Sequence, residues 1–147
     1  MIVYVDSSLL TRAYLPDENG HGPARELLAN RGIALVTGRL TRIEVSGALS
    51  RAVRAGRHPS REAAFAALDS DLGPGGRVVE LNPPAHSVEQ AALALVREHG
   101  LRTLDALHLA VASIVIPQLA DKGEPIGFAS RDGDQATVAE SLGFAAV

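Results

Sequence analysis

Two kinds of apolar pattern alternate along this chain: short unbroken runs, and longer stretches of helical period. IVYV (2–5), β-branched and aromatic, predicts a buried strand ended by Asp6. SSLLTRAYL follows as a helix opened by Ser7 or Ser8 and closed before Pro16. DENGHGP is a turn-rich loop, PARELLAN a short helix and IALVT (33–37) a second strand. LTRIEVSGALSRAVRAG predicts a long helix with Gly56 as its C-cap. SREAAFAALDSDL is another helix, begun by Ser60 after Pro59, and RVVEL (77–81) is the third strand. HSVEQAALALVREHG is a helix between Pro83–Pro84 and Gly100. TLDALHLAVASIVI is the most apolar helix, expected at the centre and stopped by Pro117. IGFAS (126–130) is the fourth strand, DQATVAESLG the last helix and FAAV a short final strand.

Strands that are apolar throughout and alternate with helices predict a mainly parallel sheet covered on both faces. The expected fold is a three-layer α/β/α sandwich forming a single domain over residues 1–147. In such folds ligands bind beyond the carboxyl ends of the strands, where strand order reverses. The order itself is not readable from periodicity.

Four acids stand out against this frame. Asp6 follows the first strand, and Asp132 comes two residues after the fourth. Asp105 opens the central helix inside an otherwise apolar run, where an unpaired carboxylate is costly. Glu44 sits mid-helix between Ile43 and Val45. Each has an ordinary structural explanation. Asp6 suits a helix N-cap, and Asp105 falls at N2 if Thr103 is the cap, where the helix dipole favours negative charge. Asp132 suits a turn before Gly133, and Glu44 an arginine pair. Taken together, the functional reading is a carboxylate cluster without a counter-charge. Such groups raise one another's pKa, and a divalent cation removes the conflict. Oxygen-only donors favour Mg²⁺ or Mn²⁺ over Zn²⁺. A bound cation of that kind lowers the pKa of water and stabilises a leaving oxygen, which is nuclease or phosphatase chemistry.

Composition narrows the field. The 147 residues include no cysteine, which excludes disulfides and thiolate metal sites. The opening MIVYVDSSLL has neither the basic region nor the apolar core of an export signal, and no apolar run reaches membrane-spanning length. The net charge of -3 hides an asymmetry. Residues 31–61 carry seven arginines and one acid, Glu44, for +6; the remainder totals −9. This basic segment is either a solvated helix face or a polyanion contact. Arg51, Arg54, His58 and Arg61 follow roughly helical spacing, broken by Gly56 and Pro59, and Arg42 lies earlier on the same predicted helix. Aromatics are only 3%, so base stacking is a minor contributor and any nucleic-acid recognition relies on shape and phosphates. His108, one turn after Asp105, is expected to pack or to hydrogen-bond a ligand rather than bind metal itself. His21, His58, His86 and His99 read as surface residues.

Four segments resemble a known family in order and spacing: VYVDSSLL (3–10), LTRIEVSGALSRA (40–52), LRTLDALHLAVA (101–112) and GFASRDGDQATVAESLGF (127–144). They resemble a PIN domain of the VapC-type toxin ribonucleases. The third segment, an aspartate followed by ALHLA at a helix start, is the most specific. The resemblance assigns Asp6, Glu44, Asp105 and Asp132 as the catalytic and metal-holding acids, with Asp134 sharing or taking the fourth place. It gives Ser7, Ser8 and Thr103 supporting roles near the site. It implies Mg²⁺ (or Mn²⁺) dependence, cleavage of RNA to a 5′-phosphate and a 3′-hydroxyl, and cytoplasmic action. It further implies a homodimer and a cognate VapB-type antitoxin.

Two other acid-centred α/β classes fit less well. A receiver domain needs paired acids after the first strand and a late lysine, but serines follow Asp6 and the only lysine is Lys122. A haloacid-dehalogenase-type phosphatase needs an aspartate where Ser8 stands. The stronger alternative is a PIN-like module that binds RNA or protein without cutting.

Overall fold

The computed structural model describes every residue except Pro59, so the expectation attached to that proline lies outside the described residues. Five strands and seven helices follow the predicted order. They are β1 (Ile2–Val5), α1 (Ser7–Tyr14), α2 (His21–Ala29), β2 (Ala34–Gly38), α3 (Arg39–Arg54) and α4 (Arg61–Leu72). Then come β3 (Val78–Leu81), α5 (Ala85–His99), α6 (Thr103–Leu119), β4 (Ile126–Ala129), α7 (Gly133–Ser141) and β5 (Ala145–Ala146).

The strands form one sheet in the order β3-β2-β1-β4-β5, and every neighbouring pair is parallel. Period-two alternation divides β1 between two cores. Ile2 and Tyr4 face α5, α6 and α7. Val3 and Val5 face α1 to α4. The result is the expected α/β/α sandwich, fully parallel in its sheet. Tyr4 stacks on Phe128 with ring centroids 5.2 Å apart, and Phe128 meets Phe144 edge-on at 6.1 Å. This aromatic column sits under α6, whose Ala106, Leu109, Ala110, Ala112 and Ile116 are all fully buried.

Several helix ends differ from the sequence expectation. Asp6, rather than Ser7 or Ser8, caps α1, its side chain accepting from Leu9 N. The cap of α6 is Arg102, with no side-chain hydrogen bond, so Thr103 is already helical and Asp105 falls at N3. Pro117 does not stop α6 but lies inside its last turn, near enough to the end for the lost N–H to cost little. Ala55 caps α3, and Gly56 follows at φ 71 as the left-handed residue that reverses the chain. Arg51 and Arg54 therefore end α3 while Arg61 begins α4, so the arginines do not share one helical stripe.

Strand order runs outward from β1 in both directions, first to β2 and β3, then to β4 and β5. The switch point is thus the gap between the carboxyl ends of β1 and β4, which Asp6 and Ser130 border. Among the described residues no helix is long and apolar enough to cross a membrane.

Candidate active site

Asp6 is almost fully buried at 4% exposure, and both its oxygens are engaged. Oδ1 accepts from Ser8 Oγ at 2.7 Å and from Leu9 N at 2.9 Å. Oδ2 lies 2.7 Å from Ser130 Oγ, so a residue just past β4 fixes the acid at the end of β1. Ser130 Oγ is also 2.5 Å from Gln135 Oε1, and Gln135 Nε2 donates to the Asp105 carbonyl at 2.9 Å. Gln135 is fully buried and ties α7 to the first turn of α6. One continuous polar chain therefore runs from Asp6 through Ser130 and Gln135 to the backbone of Asp105.

Glu44 is oriented from the other side. Its Oε2 accepts from Ser7 Oγ at 2.9 Å, and its Oε1 lies 2.7 Å from His108 Nε2. His108, 3% exposed, meets the Tyr4 hydroxyl at its other nitrogen, Nδ1, at 2.8 Å. The Tyr4 oxygen in turn accepts from Gly38 N at 3.0 Å. An ionised Glu44 only accepts, so Nε2 carries the imidazole proton and Nδ1 accepts from Tyr4; this arrangement satisfies every group. Burial pushes the Glu44 carboxyl up, but the hydrogen bonds from His108 and Ser7 outweigh it and hold the group below its ordinary value. Burial, chiefly, raises the Tyr4 phenol, which stays protonated and able to donate.

Asp105 is the exception. Its carboxylate has no hydrogen-bond partner among the described residues, although it is only partly exposed. Burial, then the charge of Asp132, pushes its carboxyl up, Asp6 adding to the shift against Arg102 and His108. Asp132 caps α7 through Gln135 N at 3.0 Å, and its Oδ2 stands 3.9 Å from Arg102 Nη1. It is a helix cap rather than a free turn residue. Asp134 is exposed in the first turn of α7 and is not among the charges that act on Asp105.

Asp6 and Asp132 thus lie near enough to act on Asp105, and Asp6 and Glu44 both act on Tyr4, while Asp134 is the outlying acid. They do not converge into a finished ligand sphere: among the described residues no three His, Asp or Glu side chains stand close enough to hold a metal ion. The donor set nonetheless fits a hard dication in kind and charge. All of its donors are carboxylate oxygens, and a cation relieves the repulsion that Asp132 and Asp6 exert on Asp105.

The supporting residues divide. Ser7 and Ser8 hold Glu44 and Asp6, as expected. Thr103 is exposed at the start of α6. Arg42 points elsewhere: it pairs with Glu80 and Asp69 at 2.9 Å and 2.7 Å and donates to the Leu72 carbonyl, clamping α3 to α4 and β3. Arg61 lies over the Phe65 ring on α4, and Arg54 is exposed at the end of α3. Arg51 borders a hollow that also contains Glu44. His21 and His58 are partly covered rather than surface residues, and His21 Nδ1 lies 2.8 Å from the Arg12 carbonyl. Sequence reasoning missed Tyr4, Ser130, Gln135 and Arg131. Ser130 and Arg131 stood in the SRDGD run, and Tyr4 was the single hydroxyl in an apolar strand, but their partners lie far along the chain.

Fold and site together define a doubly wound α/β domain with an acidic site at its switch point. The chain belongs to the PIN domain family, whose family model matches residues 3–140. Among solved structures it is similar to VapC20 of Mycobacterium tuberculosis, described as a sarcin–ricin loop cleaving toxin. The two share 24% identity with a TM-score of 0.63, over 97% of this chain and 96% of that one. It is also similar to FitAcB from Neisseria gonorrhoeae, at 15% identity and a TM-score of 0.51, over 99% and 96% of the two chains. At these identities the likeness is one of fold. No curated protein matches.

Proposed function

We propose that this chain is a divalent-metal-dependent endoribonuclease that acts as the toxin of a VapBC-type toxin–antitoxin pair. The observation that carries the reading is the gathering of Asp6, Glu44, Asp105 and Asp132 at the switch point, with Asp105 left unpartnered. Membership of the PIN family, generally nucleases, supports it, and the fold of the sarcin–ricin-cleaving VapC20 suggests RNA as the substrate.

Asp6, Glu44, Asp105 and Asp132 would hold Mg²⁺ or Mn²⁺, which when bound supplies an acidified water and charge stabilisation at phosphorus. The chain's own residues do the positioning. Asp6 is locked by Ser8, Leu9 N and Ser130, so its rotamer is set before anything binds. Glu44 is locked by Ser7 and the His108–Tyr4 relay. Such preorganisation spares reorganisation at the moment of reaction. No side chain need become a covalent nucleophile, and hydrolysis leaves a 5′-phosphate and a 3′-hydroxyl. By the same reading the protein works in the cytoplasm, forms a homodimer and is neutralised by a VapB-type antitoxin.

A second reading, a PIN scaffold that binds without cutting, is favoured by one observation: the acids do not close on a common ion position. One experiment separates the two. Purified protein is incubated with structured RNA in Mg²⁺, in Mn²⁺ and in EDTA, beside the Asp105→Asn variant. Cleavage that needs the cation and Asp105 supports the nuclease; RNA binding with no cleavage in either metal establishes the second reading.

A further inference from the structure

A surface hollow of about 480 Å³ lies beside the carboxylates. Thr11 of α1 lines one side of it, Glu44, Gly47 and Arg51 of α3 line another, and Arg131 and Glu18 border it as well. A Cβ at Gly47 would stand 3.3 Å from Arg51 Nη1, so the guanidinium lies close over this part of α3. Arg51 forms no ion pair among the described residues. Arg131 is anchored by its backbone, its N–H donating to Ser8 Oγ at 2.9 Å. Its guanidinium donates to Glu18 Oε2 at 2.9 Å. The other oxygen of Glu18 accepts from Arg57 Nη2 at 2.7 Å.

Glu18 is therefore held by two arginines through separate oxygens. Those contacts, Arg57 first, keep its carboxyl below the ordinary value. If another anion draws Arg131 away, Glu18 keeps Arg57 and is not left bare. In the Arg131–Glu18 pair the arginine is half exposed, and solvent screens such a contact. A phosphate offers guanidinium groups a stronger, bidentate partner.

We propose that this hollow, which Glu44 borders, is a phosphate subsite for the RNA strand beside the acids. Arg51 and Arg131 are its cationic contacts, and the Thr11 hydroxyl is a further donor. Glu18 is an internal stand-in anion that holds Arg131 in place until an RNA phosphate displaces it. The inference rests on the ribonuclease reading for the identity of the strand, but the anion site itself does not.

The test uses two probes. The first is a mixed-sequence oligoribonucleotide, its binding followed by fluorescence anisotropy on the Asp105→Asn background so that the RNA stays intact. Arg131→Ala is expected to weaken binding and to reduce the slope of log affinity against log salt by ~0.7, one single-strand phosphate contact. Arg131→Lys keeps the slope and controls for folding. Glu18→Gln, which frees Arg131, tightens binding. The second probe is inorganic phosphate, which raises the melting temperature of the parent chain and not of Arg131→Ala. Affinity and slope indifferent to Arg131→Ala overturn the subsite. So does a Glu18→Gln variant that binds as poorly as Arg131→Ala, because the pair is then a structural strap. If the wild-type chain cuts no RNA while phosphate still stabilises it through Arg131, the ribonuclease reading falls and the anion site stands.

Discussion

On the proposed reading, Asp105 is the residue on which the chemistry turns. Its neighbours in sequence are apolar, its carboxylate lacks a partner, and burial with Asp132 raises its carboxyl above the ordinary value. A raised acid binds its proton more tightly in the folded chain than in the unfolded one. Ionisation therefore destabilises the fold as pH rises through that pKa, and the effect is absent below the unfolded value of about 3.9. Asp105→Asn removes the penalty. In EDTA at pH 7 it should melt at the same temperature as the wild type or higher, and the difference should shrink to nothing as pH falls towards 3. Parallel melts of both proteins across that range check it, together with loss of RNA cleavage in Mg²⁺. A variant that melts well below the wild type at pH 7 would make Asp105 a structural cap. Glu44 behaves oppositely: its carboxyl is held low, so its contribution is present at neutral pH and lost as pH falls through the folded value.

Helix and strand packing decides whether those side chains arrive. The Tyr4–His108–Glu44 relay depends on Gly38 at the end of β2. A Cβ at that position would stand 2.8 Å from the Tyr4 oxygen, and Tyr4 has no room to yield because its ring is stacked on Phe128 and fully buried. Gly38→Ala should cost about 1–3 kcal/mol by overpacking. It should also lower cleavage more than RNA affinity, read as kcat against KM. Arg42 belongs to the same scale. Its sequence position suggested RNA, but its guanidinium is spent on Glu80, Asp69 and the Leu72 carbonyl. Arg42→Ala should lose on the order of 1 kcal/mol of stability, since the partners are partly solvent-screened. The salt slope of RNA binding should stay where it was; a fall in that slope would return Arg42 to the nucleic-acid surface.

For the whole molecule, the parallel order β3-β2-β1-β4-β5 brings four acids from separate parts of the chain to one sheet edge. That edge concentrates negative charge, with Arg51, Arg102 and Arg131 beside it. A cation that binds the folded chain and not the unfolded one stabilises it by mass action, by about 2.7 kcal/mol at a hundredfold excess over Kd. Mn²⁺ titrated into the wild type should therefore raise its melting temperature and should leave Asp105→Asn nearly unmoved. Equal shifts in the two proteins would place the ion away from the switch point.

Much of this was legible in the chain itself. Unbroken apolar strands alternating with amphipathic helices specify a parallel sheet between helical layers, because each such strand must be buried on both faces. Asp6, Glu44 and Asp105 stood out locally, each by an acid placed at a strand end or in apolar company. Strand order was not legible, because hydrophobic period carries no information about which strand lies beside which. Nor were the partners that aim each acid: Ser130 is 124 residues from Asp6, and His108 is 64 from Glu44. Arginine counting could not separate Arg42 from Arg51 for the same reason, since only neighbours in space show that Arg42 pairs with Glu80 and Asp69 while Arg51 forms no ion pair among the described residues. What the sequence determined is the layered architecture and which acids are candidates, both read from local pattern. What only the tertiary structure decided is their convergence and orientation, because those depend on contacts between residues that the chain itself keeps far apart.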